Sequence, residues 1–335
     1  MKFCVFGAGA IGGYMAVQLA AAGHDVCVIA RGAHLQAIRQ RGLTLVKRGG
    51  GETVVRVAAS EDPRTFGPQD FVICALKSHQ AYDSAESFAP LLGPCTPVLT
   101  AMNGIPWWYF HGSGGRLDGH WLESVDPGGR QWKAIQPERA IGCVVEPACE
   151  VLEPGVIIHH ELNRFIIGEP DGSRSERILA LSRALTEAGL DAPVRDNIRW
   201  NVWLKLWGNV CFNPISALTG ATLDRMIGEP ALLALCRTMM QETKAVNEAL
   251  GILIPGEMMN RRLAAAGAIA GHKMSMLQDI ERGRSLEIDA LVTAVHELGR
   301  LTQVPTPMID TVLALVSERG RSLGLYHPLS ASRAA

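Results

Sequence analysis

This 335-residue chain has almost no charge imbalance: 32 basic and 33 acidic residues leave a formal net charge of -1. Without a basic surplus it carries no electrostatic footprint for nucleic acid or for an anionic membrane surface. Its eight cysteines, at positions 4, 27, 74, 95, 143, 149, 211 and 236, form no CxxC pair. Several fall inside predicted strands or helices, so they read as small buried apolar residues in a reducing, cytoplasmic setting. Metal-ligand spacing is missing as well, because the only histidine cluster, His159-His160, lies in a strand-like segment. No apolar run reads as a transmembrane span, and the charges after residue 30 leave little room for one. Lys2 ahead of an apolar stretch begins a signal-peptide pattern. Four glycines between positions 7 and 13, and a second strand directly afterwards, break that pattern.

What is present begins at once. Lys2–Phe6 is a short apolar run, followed by Gly7-Ala8-Gly9-Ala10-Ile11-Gly12 and an alanine-rich helical stretch. Gly23-His24-Asp25 then leads into Val26–Ala30. Strand, glycine turn, helix, turn, strand is the βαβ context in which GxGxxG marks dinucleotide binding. Gly7 permits the tight turn, Gly9 lets backbone N–H groups approach a pyrophosphate, and Gly12 lets helix and strand pack closely. The free N–H groups and positive dipole end of the helix face the phosphates. An NAD site normally has Asp or Glu near the end of the second strand; this chain has Arg31. A guanidinium matches a 2′-phosphate with two parallel bonds, so the expected cofactor is NADPH/NADP+ rather than NADH. The bland alternative for Arg31 is a solvated loop arginine.

The chain length suggests two domains. Asp70–Leu76 and Pro97–Met102 are short apolar runs of the buried-strand kind, ending at Lys77 and Asn103-Gly104. A helix is expected over 80–91, and Leu43–Val46 and Thr53–Val57 read as strands around the turn Lys47–Gly51. Strands alternating with helices predict a mainly parallel sheet wrapped on both faces. Ligands bind beyond the carboxyl ends of such strands, where Arg31, Lys77 and Asn103 all fall. Residues 106–137 carry Trp107, Trp108, Tyr109, Trp121 and Trp132 among glycines, prolines and charges, without clean periodicity. They read either as a lid over the site or as a surface loop with its own apolar cluster. Strands over 140–146, 155–160 and 164–168 and a helix over 174–188 follow. The linker Gly189–Pro193 then closes the first domain. The second half reads as helices over 196–213, 229–250, 255–270, 285–302 and 307–319, with Gly251 and Gly320 as C-terminal caps. The expected division is 1–193, an α/β Rossmann-type domain; 194–326, an all-α domain; and 327–335, a loose tail.

In the first helix of the second half, Lys205, Asn209 and Asn213 are spaced by four and share one face. Trp203, Leu204, Trp207, Val210 and Phe212 stand around them. A lysine and two amides in so apolar a helix are costly unless a ligand or a polar network meets them. A solvated polar stripe is the alternative, but the Glu and extra Lys normal to such a face are missing. A second polar stretch runs from His272 to Asp279, and Glu287-Ile288-Asp289 follows. Asp279 and Asp289 read as caps or surface groups.

These pieces, taken in order, resemble the 2-dehydropantoate 2-reductases, or ketopantoate reductases, over nearly the whole chain. The matching segments are Gly7–Gly12 with Arg31, Ala75-Leu76-Lys77, Asn103-Gly104, Lys205-x-x-x-Asn209-x-x-x-Asn213-Pro214, Ser275–Asp279 and Glu287–Asp289. The resemblance implies a Rossmann domain, a helical domain, and an active site in the cleft between them. It implies NADPH-dependent reduction of 2-dehydropantoate to pantoate, a step of pantothenate biosynthesis. It makes Lys205 the catalytic acid, with Glu287 near it and the cofactor. The Gly7–Gly12 turn, Arg31, Lys77 and Asn103 would bind cofactor, and Asn103, Asn209, Asn213 and Ser275 would bind the substrate.

The chain departs from the family pattern at Ala221-Thr222-Leu223 and at His272, where asparagines are expected. A different small 2-oxo acid, as in the D-2-hydroxyacid dehydrogenases of this scaffold, therefore stays open. So does a homodimer. An NADP(H)-sensing binding protein is the non-enzyme alternative, but a sensor has no need of the acid. In the expected chemistry hydride reaches the ketone carbon and Lys205 protonates the oxygen. An apolar setting pulls a lysine pKa down while a carboxylate such as Glu287 keeps the ammonium charged, and the two effects oppose each other.

Overall fold

The computed structural model describes residues 1–329. The chain forms two compact units, Met1–Trp121 with Gly129–Ile198, and Leu122–Gly128 with the residues from Arg199 onward.

The first unit opens with the expected βαβ: β1 (Lys2–Phe6), α1 (Ala10–Ala21) and β2 (Asp25–Ile29). Next come α2 (Gly32–Arg41), β3 (Leu43–Lys47), β4 (Glu52–Val55) and β5 (Ala58–Ser60). They are followed by β6 (Phe71–Cys74), α3 (Ser78–Asp83), β7 (Val98–Thr100) and α4 (Arg130–Ile135). The unit ends with β8 (Ala140–Val145), β9 (Ala148–Glu153), β10 (Val156–Glu161), β11 (Phe165–Gly168) and α5 (Glu176–Glu187). The helix expected over 80–91 is split, because α3 stops at Asp83 and a 3-10 turn with Pro90 inside it covers Ala85–Leu91. Proline supplies no N–H to an α-helical ladder.

Seven strands form one sheet in the order β11-β8-β7-β6-β1-β2-β5. All pairs are parallel except β11 with β8. This is the mainly parallel, doubly wound sheet expected from the alternating pattern. A second sheet, β4-β3-β10-β9, went unforeseen. Its central pairing joins β3 to β10 in parallel across more than a hundred residues, a contact that local pattern does not encode. Helix α1 touches strands of both sheets. A Cβ on Gly12 would lie 2.9 Å from Val5 Cγ1 in the large sheet, and one on Gly13 would lie 2.7 Å from Ile157 Cγ1 in the small one. A helix buried on two sides needs small residues on two faces, which explains its alanines and glycines.

The tryptophan-rich segment is neither lid nor surface loop where it begins. Trp107, Trp108, Tyr109 and Phe110 are all at most 3% exposed. Trp108 donates Nε1–H to Thr100 Oγ1 at 2.8 Å, and its ring lies where a Cβ on Gly142 would be, 2.8 Å away. Further on, Leu122–Gly128 groups with the second unit. There the Glu297 carboxylate accepts the backbone N–H groups of Glu123 and Ser124, both at 2.8 Å. The stretch read as a linker, Gly189–Pro193, runs beside β11: Phe165 N–H donates to Asp191 O and Ile167 N–H to Pro193 O.

The second unit is helical: α6 (Ile198–Thr219), α7 (Leu223–Gly228), α8 (Pro230–Ala249), α9 (Glu257–Gly267) and α10 (Ser275–Glu281). A π-turn over Asp289–Thr293 leads into α11 (Ala294–Thr302), and α12 (Pro307–Ser322) completes it. The expected end of α6 at Asn213 is corrected, since the helix runs through Pro214. An internal proline costs about 3 kcal/mol. Beyond it Ile215 and Ala217 are buried and Ser216 Oγ donates to Ala221 O at 2.7 Å, which offsets the loss. Gly320 is not a cap either. It lies inside α12, and a Cβ there would come within 2.6 Å of Tyr326 Cβ. The left-handed glycine past the helix end is Gly324, at φ 66°. Of the expected tail, residues 330–335 lie outside the described residues, and Leu329 N–H donates to Asp289 Oδ2 at 3.3 Å.

Candidate active site

In the first unit the site is built at one sheet edge. Register pairs Phe6 with Ile29 and with Cys74, and Cys74 with Thr100, so β2, β1, β6 and β7 end level. From β1 the chain goes to β2 on one side and later to β6 on the other, which makes the gap between β1 and β6 the topological switch point. Gly7 leaves β1 there with φ 100°, and a Cβ on it would stand 2.8 Å from Leu76 Cδ2. Only glycine fits this turn against the residues that follow β6. A Cβ on Gly12 would meet Gly7 O at 2.0 Å, so the first turn of α1 closes directly over the loop. Around Gly9 a Cβ would meet nothing within 4 Å. Gly9 is the N-cap of α1, and no acidic residue occupies its first turn. The space beside Gly9 is thus open at the N-terminus of α1, whose first-turn N–H groups and positive dipole end suit a pyrophosphate.

Arg31 follows β2 as the N-cap of α2, in extended backbone, and it is exposed. Lys77 follows β6 and caps α3, and its backbone N–H donates to Gln80 Oε1 at 3.3 Å. Two residues on, burial and then the Lys77 charge push His79 down to about 4, so the imidazole is neutral at physiological pH. Asn103 is half-buried just after β7, beside Gly104 at φ 87°. The glycine turn, Lys77 and Asn103 therefore share the edge the sequence assigned to them.

In the second unit Lys205, Asn209 and Asn213 line α6 as their spacing required. Lys205 and Glu287 are half-buried, and Asn209 and Asn213 are 8% and 1% exposed. Asn213 Oδ1 accepts from Ser275 Oγ at 3.0 Å and from Met276 N–H at 3.2 Å. Asn213 and Ser275 are thus brought together across 62 residues, and the carboxamide has a fixed orientation with its NH2 end as donor. Glu287 lies between buried Leu286 and Ile288, just before the π-turn. Leu286 N–H donates to Leu325 O at 2.9 Å, which ties this strap to the end of the chain.

Three further residues around these fragments were not read as site residues from the sequence. Arg262 donates Nη2–H to the Lys205 carbonyl at 3.1 Å, and its guanidinium covers Gly208, where a Cβ would stand 2.7 Å from Nε. Asp289, read as a cap or surface group, is instead 7% exposed. It accepts from Tyr326 OH at 2.6 Å and from Thr293 Oγ1 at 3.1 Å. His34 contacts the glycine turn itself: its Nε2 lies 2.6 Å from Ala8 O. A histidine inside a short exposed helix looks like any solvated polar residue in sequence. Among the described residues no group of three metal-ligating side chains comes together, and no helix is long and apolar enough to cross a membrane.

The chain combines a doubly wound sheet whose switch point carries a glycine turn with a separate helical unit that carries a lysine beside two buried amides, and its similarity to known proteins makes it an oxidoreductase acting on CH–OH groups. Residues 3–172 match the family described as Ketopantoate reductase PanE/ApbA, and residues 197–320 match Ketopantoate reductase PanE/ApbA C terminal. A 2-dehydropantoate 2-reductase of Mesorhizobium japonicum is 53% identical over 327 residues, covering 97% of this chain and all of that one. A structure assigned as a ketopantoate reductase from Ralstonia solanacearum is 44% identical with TM-score 0.91, covering 97% of this chain and 99% of that one. A D-mandelate dehydrogenase structure with NADH and anilino(oxo)acetate, 22% identical, shares the fold at TM-score 0.84 over 97% of this chain and all of that one. The chain belongs to the ketopantoate reductase family.

Proposed function

We propose that the protein reduces 2-dehydropantoate to pantoate with NADPH, using groups from an α/β domain of residues 1–193 and from a helical domain of residues 194–326. The observation that carries this reading is α6. It presents Lys205 beside two buried amides, one of them oriented by Ser275. The 53% identical relative, named as a 2-dehydropantoate 2-reductase, supports the substrate.

The glycine turn, Lys77, Asn103 and Arg31 would hold the dinucleotide, with the Arg31 guanidinium against the 2′-phosphate. When bound, the reduced nicotinamide would supply the hydride for the ketone carbon. Lys205 donates a proton to the oxygen on which negative charge develops, and its ammonium stabilises that charge beforehand. Glu287, by its opposite charge, would counter the effect of an apolar setting on that ammonium. Asn209, Asn213 and Ser275 fix the substrate by neutral hydrogen bonds, so the reacting atoms meet without reordering the site. Ala221-Thr222-Leu223 and His272 favour a second reading, a different 2-oxo acid in the same site.

The test is oxidation of NADPH by the purified protein with 2-dehydropantoate and with bulkier branched and aromatic 2-oxo acids. A kcat/KM for 2-dehydropantoate well above the others is the expected result. Preference for another member would move the substrate, and cofactor binding without turnover of any of them would favour a sensor.

A further inference from the structure

His34 is the third residue of α2, three positions after Arg31. Both of its ring nitrogens are engaged. The backbone N–H of Gly155, in the turn between β9 and β10, donates to Nδ1 at 3.0 Å. On the other side Nε2 lies 2.6 Å from Ala8 O. An N–H can donate only to an unprotonated ring nitrogen, so Nδ1 carries no proton. The proton is therefore on Nε2, which donates to the Ala8 carbonyl. Burial lowers the pKa of the ring from 6.5, in keeping with the neutral form.

The Ala8 carbonyl shares a peptide plane with the Gly9 N–H, and in a trans peptide the two point in opposite directions. The Gly9 N–H therefore points away from the carbonyl that His34 holds, and the space beside the Gly9 Cα is open, since a Cβ there meets nothing within 4 Å. The ring also sits one helical turn beyond Arg31, so it ties the 2′-phosphate residue to the pyrophosphate turn.

We propose that His34 is a positioning residue for the dinucleotide, setting the Ala8–Gly9 peptide plane through its Nε2–H. The proposal rests on the nicotinamide-cofactor reading above. Because the pyrophosphate is common to both cofactors, His34 acts on NADPH and NADH alike, whereas Arg31 acts on NADPH.

The experiment compares His34→Gln, His34→Asn and His34→Ala in the full chain. Glutamine places an amide NH2 where Nε2 stands and keeps the bond to Ala8. Asparagine reaches only the Nδ1 position and keeps the bond from Gly155. Dissociation constants for NADPH and NADH are read by titration of cofactor fluorescence, with kcat and both KM values alongside. His34→Asn and His34→Ala are expected to weaken both cofactors about five- to tenfold, the range of one lost hydrogen bond. Cofactor KM should rise in step, with kcat and 2-oxo-acid KM held within about twofold. His34→Gln should restore most of the affinity. Wild-type affinity in His34→Asn, or a His34→Gln as weak as His34→Ala, would overturn the proposal and leave the cofactor reading standing. If His34→Ala does not fold, the glutamine and asparagine pair decides. A wild-type protein that binds neither cofactor would overturn both.

Discussion

The two units solve the same problem of exposing polar groups in opposite ways. Around β1 and α1 the candidate site is main chain: glycines, free helix N–H groups and level strand ends. In α6 it is side chain: an ammonium and two amides set into a buried helix. Main-chain sites need space, so what matters there is which residues lack a Cβ. Side-chain sites need orientation, so what matters is which distant group meets each polar atom. Gly12 and Asn213 are the clearest cases, one defined by a missing atom and the other by partners 62 and 63 residues away.

The sharpest way to break this contrast is Lys205→Ala. Turnover should fall at least ~100-fold, the lower end of acid–base contributions, while NADPH affinity measured by titration stays the same. Near-normal turnover would remove the lysine from the chemistry and leave α6 a structural stripe. Next is a glycine pair. Gly12→Ala puts a Cβ 2.0 Å from Gly7 O and should cost about 3 kcal/mol by chemical denaturation, whereas Gly9→Ala meets open space and should leave stability nearly unchanged. Equal losses would show that the turn is not shaped by close packing. Arg31→Ala comes third, expected to weaken NADPH about tenfold or more with NADH unchanged, as for a lost charged phosphate contact. Equal losses for the two cofactors would make Arg31 an ordinary solvated cation.

The smallest effect concerns Asp289. Burial holds its carboxyl above the ordinary 3.8 even though Tyr326, Leu329 and Thr293 all donate to it. A raised carboxyl binds its proton more tightly in the folded state. Its contribution is therefore complete below about pH 4 and is lost as pH rises through the raised value. The stability of wild type relative to Asp289→Asn should thus decline as pH rises above about 4 in denaturant titrations. A flat difference would mean that the carboxyl ionises as freely folded as unfolded.

Legibility followed the range of the interactions. The βαβ unit, the mainly parallel sheet and the helical second half were written in local periodicity and turn chemistry. The small sheet was not, because β3 meets β10 only in the folded chain. Pro214 and Gly320 misled for the same reason: each was read by local rule as a stop, whereas buried Ile215 and Ala217 lie in α6 beyond Pro214, and Gly320 packs against Tyr326 inside α12. Trp107–Phe110 lacked periodicity because its side chains fill space under irregular backbone, Trp108 against Thr100 and Gly142.

By itself the sequence determined where the glycine turn opens α1 and which face of α6 carries the lysine and amides. Both follow from single residues or from helical spacing, which act over a few positions. Tertiary structure alone decided which distant groups meet these segments and their neighbours: His34 at Ala8, Ser275 at Asn213, Arg262 at the Lys205 carbonyl, and Tyr326 at Asp289. A hydrogen bond needs its two atoms within about 3 Å at a set angle. For partners brought together from separate elements, that condition is met only once the chain has folded.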